Sequence, residues 1–271
     1  MFQRKNKPQT GKHKTELTFG EHLDELRKML MKVSLCVMFF MGLIFCFKDT
    51  VFGFLLAPCQ SDFISFRALR ELIGKFGLET NIYTSNIELI TTDVSSQFMA
   101  HLSASFYIGL LLASPYVLYE LMRYITPALY NNEKKYAFRI LISVYGLFIL
   151  GMIISYLVLF PVSCRFLSSY NVSPNVKALI SLDSYLSLFV SLTFLMGLVF
   201  QLPVIALSLA KIGVIDSSLM TNYRKHAFIL IVVLSAIITP PDILTLIIVS
   251  IPLYILYEVS VLGVKWLCNK N

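Results

Sequence analysis

Long apolar runs alternate with short polar stretches along this 271-residue chain, and that alternation predicts its elements. Residues 1–20 are polar, basic and without periodicity, the pattern of a flexible tail. From Phe19 to Leu30, FGEHLDELRKML sets Leu23, Leu26 and Leu30 on one helical face, with His22, Glu25 and Lys28 on another. This spacing predicts an amphipathic surface helix that runs directly into a first span, about Met29 to Phe47. A long polar segment, about 48–97, follows. Within it FISFRALRELIGKF predicts a short amphipathic helix ended at Gly77, and TNIYTSNIELITTDV leans towards strand. Further apolar runs predict a second span at Phe98 to Tyr119, a third at Ala137 to Phe160 and a fourth at Tyr185 to Ala210, interrupted by FQLP at Phe200 to Pro203.

The last two runs are short. Only 14 residues separate Lys225 from Pro240 and 15 separate Asp242 from Glu258. At helical rise these make roughly 21–23 Å each, against a hydrocarbon core of about 30 Å. The TPPD connector between them is too brief to leave the membrane region, so the hairpin is expected to thin the bilayer or sink its turn beside protein. The reading is an all-α integral membrane protein of six transmembrane helices whose last two are short. Its single membrane domain covers 21–262, with a C-terminal tail at 263–271.

Composition strengthens this reading. Hydrophobic residues make up 56% of the chain and charged ones 14%, with a mean hydropathy of +0.72. A soluble fold has no interior large enough for that apolar surface. The net charge of +7 is a topology signal first, because no basic patch interleaved with aromatics accompanies it, and a nucleic-acid partner is excluded. With the N-terminus inside, 17 of the 23 Lys and Arg fall in the first 32 residues, 123–139, 211–225 and the C-terminus. This bias predicts both termini in the cytoplasm and a multi-pass location in the cytoplasmic (inner) membrane. The lead before the first apolar run is too long for a cleaved signal peptide, and no A-x-A-like site follows it.

Candidate chemistry is sparse. Cys36, Cys46, Cys59, Cys164 and Cys268 lack metal-ligand spacing and read as small hydrophobes, although Cys59 and Cys164 share the outer side and a disulfide between them is open. The four histidines are scattered; no metal site, cofactor loop or nucleophile motif emerges, so no cofactor and no enzyme is expected. Gln201 beside Pro203 is a polar group in a broken mid-membrane helix, which also fits the alternative of a secondary transporter for a small solute. Asp242 is placed to N-cap the last span, and Glu258 to pair with a base such as Lys265 or with a backbone donor. The stretch SPYVLYELMRYITPALYNNEKKY, Ser114 to Tyr136, reads as an elbow shaped by Pro115, Pro127 and five tyrosines.

HLDELRKML at His22 to Leu30, that same elbow, FQLPV at Phe200 to Val204 and TPPDILTLIIVSIPLYILYEVSV at Thr239 to Val261 together resemble the TatC family. This is the multispanning receptor subunit of the twin-arginine protein translocase. The resemblance implies recognition of signal peptides bearing two adjacent arginines and export of folded proteins driven by the proton-motive force. It implies small single-span partners of the TatA and TatB type, and a homo-oligomer within a larger complex. It also implies that Glu25 and Glu133 hold the twin arginines, which suits the planar fork of guanidinium on carboxylate. Arg27 and Tyr124 match further peptide-binding positions, with tyrosine where the family more often has phenylalanine and Met122 where tryptophan is common. Gln201 stands where the family usually carries glutamate, so a proton-linked role is in doubt there.

Overall fold

The computed structural model describes residues 19–75, 87–125, 134–170, 173, 179–239 and 242–268. The amphipathic start and the first span form one helix, α1 (Phe19–Phe45). It packs antiparallel against α4 (Ser96–Ile125), and the reason lies at Gly109. A Cβ there would sit 2.7 Å from the backbone N of Met41, so only glycine lets the two backbones come this close. Where α1 ends and α4 begins, the His101 ring stacks on Phe45 with centroids 4.2 Å apart.

Two expected boundaries move. The second span does not stop at Tyr119: α4 continues through Pro115 to Ile125, so Tyr116, Tyr119 and Tyr124 are helical and the elbow is shorter than predicted. Pro115 has no N–H for the Leu111 carbonyl, and the Ser114 hydroxyl donates to that carbonyl instead, at 2.6 Å. The third span likewise passes Pro161. α5 (Lys134–Ile154) runs into a π-helical turn, Ser155–Leu159, and on through α6 (Phe160–Ser169). A widened turn relieves the clash between the proline ring and the preceding carbonyl, so the rod continues where a loop was expected.

The fourth span is broken where FQLP predicts, into α7 (Leu182–Val199) and α8 (Leu202–Lys211). A small helix, α9 (Ser217–Asn222), leads into α10 (Arg224–Ile238), which is short as expected at 15 residues. The last helix is not short. α11 (Ile243–Cys268) has 26 residues, about 39 Å at helical rise. It runs past Glu258, because that carboxylate is neutralised by partners on the side of the helix and does not end it. Among the described residues five helices are therefore long and apolar enough to cross a bilayer: Leu23–Phe45, Ser96–Tyr124, Leu141–Ser169, Leu182–Lys211 and Thr245–Leu267.

The segment after α1 folds over the ends of these rods at which α1 stops, as α2 (Lys48–Leu56), a 3-10 turn at Ala57–Cys59 and α3 (Ile64–Lys75), the helix predicted from its spacing. The expected stop at Gly77 lies outside the described residues. Of the strand-leaning stretch, β1 (Leu89–Ile90) pairs in parallel with β2 (Ile180–Ser181), Leu89 opposite Ile180. Tyrosine hydroxyls fasten this cover. Tyr185 donates to the Leu55 carbonyl at 2.6 Å and Tyr156 to that of Phe54 at 2.8 Å. Phe160, Phe189, Leu192, Met196, Val249 and Leu253 fill the core beneath. Buried Arg165 lies 5.3 Å from the Phe66 ring centroid, a cation–π contact that helps a charge tolerate burial. Cys59 and Cys164 are both buried and carry free thiols, not a disulfide.

Candidate functional site

The antiparallel register of α1 and α4 locates the predicted residues. It sets Met41 beside Gly109 and Lys32 beside Glu120. Glu25 lies seven residues before Lys32, about 10 Å further along α1, level with the end of α4. Tyr124 occupies the last turn of α4 at that same end, half-buried. Glu25 and Arg27 are exposed, and Glu25 has no ion-pair partner among the described residues. Arg27 borders an apolar groove of about 540 Å³ lined by Leu23, Leu26, Leu30, Met31 and Leu35 on α1. Glu133 and Pro127 lie outside the described residues; Glu133 directly precedes Lys134, where α5 begins.

One charged group at this end escapes a reading of the sequence. Glu120 is 6% exposed and faces α1. Its Oε1 accepts a hydrogen bond from the Tyr116 hydroxyl at 3.1 Å and has the Lys32 ammonium at 3.5 Å and the Arg123 guanidinium at 4.0 Å. The available signals were Lys32 inside an apolar run and Tyr116 four residues before Glu120. Neither reveals which face α1 covers.

The other candidates sit away from this cluster. The Gln201 amide donates to the Val144 carbonyl at 3.1 Å and to that of Gly197 at 3.3 Å. It thereby binds the broken helix to α5 and satisfies a carbonyl that the break releases, since the Gln201 backbone N–H turns to Leu198. Its Oε1 is buried without a hydrogen-bond partner among the described residues. Asp242 accepts from the Thr245 N–H at 2.7 Å and from the Thr245 hydroxyl, holding the first turn of α11. Glu258 pairs with a base as expected, but the base is Arg224 and not Lys265. Arg224, at the start of α10, reaches it at 2.9 Å, and the Tyr254 hydroxyl donates to it at 3.2 Å. A second groove, about 510 Å³, is lined by Asp183, Ser184, Ser187 and Ser191 of α7 with Ile238 and Thr239. Among the described residues no His, Cys, Asp and Glu cluster could hold a metal ion.

Residues 21–252 match the family described as Sec-independent protein translocase protein (TatC). The chain belongs to the TatC family. The TatC of Blattabacterium sp. subsp. Periplaneta americana is 35% identical over 254 residues, covering 92% of this chain and 95% of that one. TatCy of Bacillus subtilis is 32% identical, with 91% and 88% covered. A crystal structure titled as the twin arginine translocase receptor TatC superposes with a TM-score of 0.70 at 30% identity, over 91% of this chain and 99% of that one. A second, in the detergent DDM, gives a TM-score of 0.72. A TatC chain is a protein-translocase subunit and not an enzyme, and the solute-transporter alternative gives way to it.

Proposed function

We propose that this chain recognises twin-arginine signal peptides at the end of the molecule where α1 begins and α4 stops, and that Glu25 and Glu133 receive the two guanidinium groups. The observation that supports this reading is the register of α1 on α4, which sets the exposed carboxylate of Glu25 level with Tyr124 at the end of α4. A carboxylate in bidentate contact with arginine discriminates against lysine by geometry as well as charge. Tyr124 offers a ring to apolar residues of the peptide, and Arg27 flanks the same face.

In this reading α10 is the sixth crossing, the termini and the recognition end are cytoplasmic, and the membrane is the cytoplasmic one. The basic residues flanking α1, α4 and α5 support that orientation. Small single-span subunits of the TatA and TatB type and further copies of this chain complete the translocase, which draws on the proton-motive force. Site-specific crosslinking from α1 to a twin-arginine peptide tests the proposal. Labelling is expected to fall at least tenfold in the Glu25→Gln, Glu133→Gln double variant and with a twin-lysine peptide. Equal labelling in either case rejects it.

A further inference from the structure

We propose that Glu120 is a third carboxylate of the peptide site, kept occupied by Lys32 until an arginine of the incoming peptide replaces that lysine. The inference rests on the peptide-binding reading above and adds a residue to it.

The Glu120 side chain is 8% exposed, whereas those of Lys32 and Arg123 are 50% and 61% exposed. The anion is fixed in the α1–α4 seam, and its cations reach in from the surface. A buried carboxylate cannot lose its positive partners cheaply, so a cation that leaves has to be exchanged for another. Lys32 is a weak incumbent. Its ammonium is a point charge at 3.5 Å, and no hydrogen bond joins it to the carboxylate among those seen. A guanidinium, with its planar fork and weaker hydration, suits a buried carboxylate better. The hydroxyl of Tyr116 holds Oε1 in place throughout.

Position makes the exchange reachable. Lys32 follows Glu25 by seven residues, two turns along nearly the same face of α1, so Glu120 lies about 10 Å inward from Glu25. Adjacent arginines of an extended peptide point to opposite sides. In this refinement one guanidinium is shared by Glu25 and Glu133, in place of one carboxylate for each arginine, while the other descends to Glu120 and Lys32 swings out to solvent. The cluster is thus a lock that only an arginine opens, and it adds selectivity to the outer carboxylates.

Binding of a fluorescent twin-arginine peptide to the full chain in lipid nanodiscs tests the exchange. Glu120→Gln is expected to weaken binding about tenfold, the loss of one charge-assisted contact. Lys32→Met is expected to tighten it about threefold or more, because the nearer competing cation is gone and only the exposed Arg123, at 4.0 Å, remains. Glu120→Gln combined with Lys32→Met should cancel that gain, and a twin-lysine peptide should not show it. A merely structural ion pair gives the opposite sign, so Lys32→Met binding that is unchanged or weaker overturns the proposal even if Glu120→Gln fails to fold. Loss of binding in Glu25→Gln, Glu133→Gln beside unchanged binding in Glu120→Gln rejects the third carboxylate alone. Wild-type binding that survives the outer double variant rejects the reading on which it stands.

Discussion

At the scale of single residues, Glu258 and Glu120 each take a cation from across a helix seam. Glu258 takes Arg224, 34 positions away, and passes over Lys265. Both partners are partly in solvent, 44% and 29% exposed, so a double-mutant cycle of Arg224→Gln and Glu258→Gln in denaturant is expected to give a coupling below about 1 kcal/mol. Cys59 behaves differently. Burial pushes its thiol above the ordinary value, with Tyr185 and Arg165 pulling it partly back. The folded chain therefore holds that proton when the unfolded chain has released it, so stability is fully present below pH 9 and declines as pH rises above it. Cysteine-directed maleimide at pH 8, read at Cys59 by peptide mass, should leave that thiol unmodified in the folded protein and label it after denaturation; prompt labelling of Cys59 in the folded chain contradicts this.

Glu120 shows why part of the candidate site was illegible at this scale. Its partner Lys32 is 88 positions earlier, and only the packing of α1 against α4 decides that this carboxylate, rather than the exposed Glu25 or Asp24, is enclosed. Glu25, Arg27 and Tyr124 were legible because they belong to motifs carried in local order.

At the scale of elements, short-range chemistry decided most outcomes. The α3 helix and the break between α7 and α8 were readable, since leucine spacing and a proline with glutamine act within a few residues. The extents of α4, the third span and α11 were not, because each depended on a compensation that proline or charge conceals: the Ser114 hydroxyl, the π-helical turn, the Arg224 guanidinium. Two substitutions test these supports. Asp242→Ala removes the cap of α11 and should cost about 1 kcal/mol, seen as faster amide exchange over Ile243–Leu246 with the middle of the helix unaffected. Gly109→Ala drives a methyl into the Met41 backbone, which has no flexible side chain to yield, and should destabilise by about 1–3 kcal/mol in a denaturation series while loosening α1 from α4. A Gly109→Ala protein as stable as the parent would contradict the close approach.

At the scale of the whole molecule, sidedness turns on α10. At 15 residues it spans about 22 Å, less than a hydrocarbon core of about 30 Å, yet a sixth crossing brings the ends of α11 to the sides that the basic residues favour. Single cysteines at Ser218 and Ile243, introduced into a chain without its own cysteines, should react with a membrane-impermeant reagent from opposite faces of right-side-out vesicles. Labelling of both from one face would place α10 along the membrane and leave five crossings.

The pairing of β1 with β2 also bears on how the chain is made. Leu89 waits for Ile180, and the Leu55 carbonyl waits for Tyr185, 130 residues later. A ribosome has already delivered the first three long helices before either bond can close, so the cover sets only after them. Chains arrested before residue 180 should expose α2 and α3 to added protease, and those extended beyond α7 should protect them. The final tightening of this protein is thus scheduled by translation, and the cover doubles as a mark that the fourth rod has arrived.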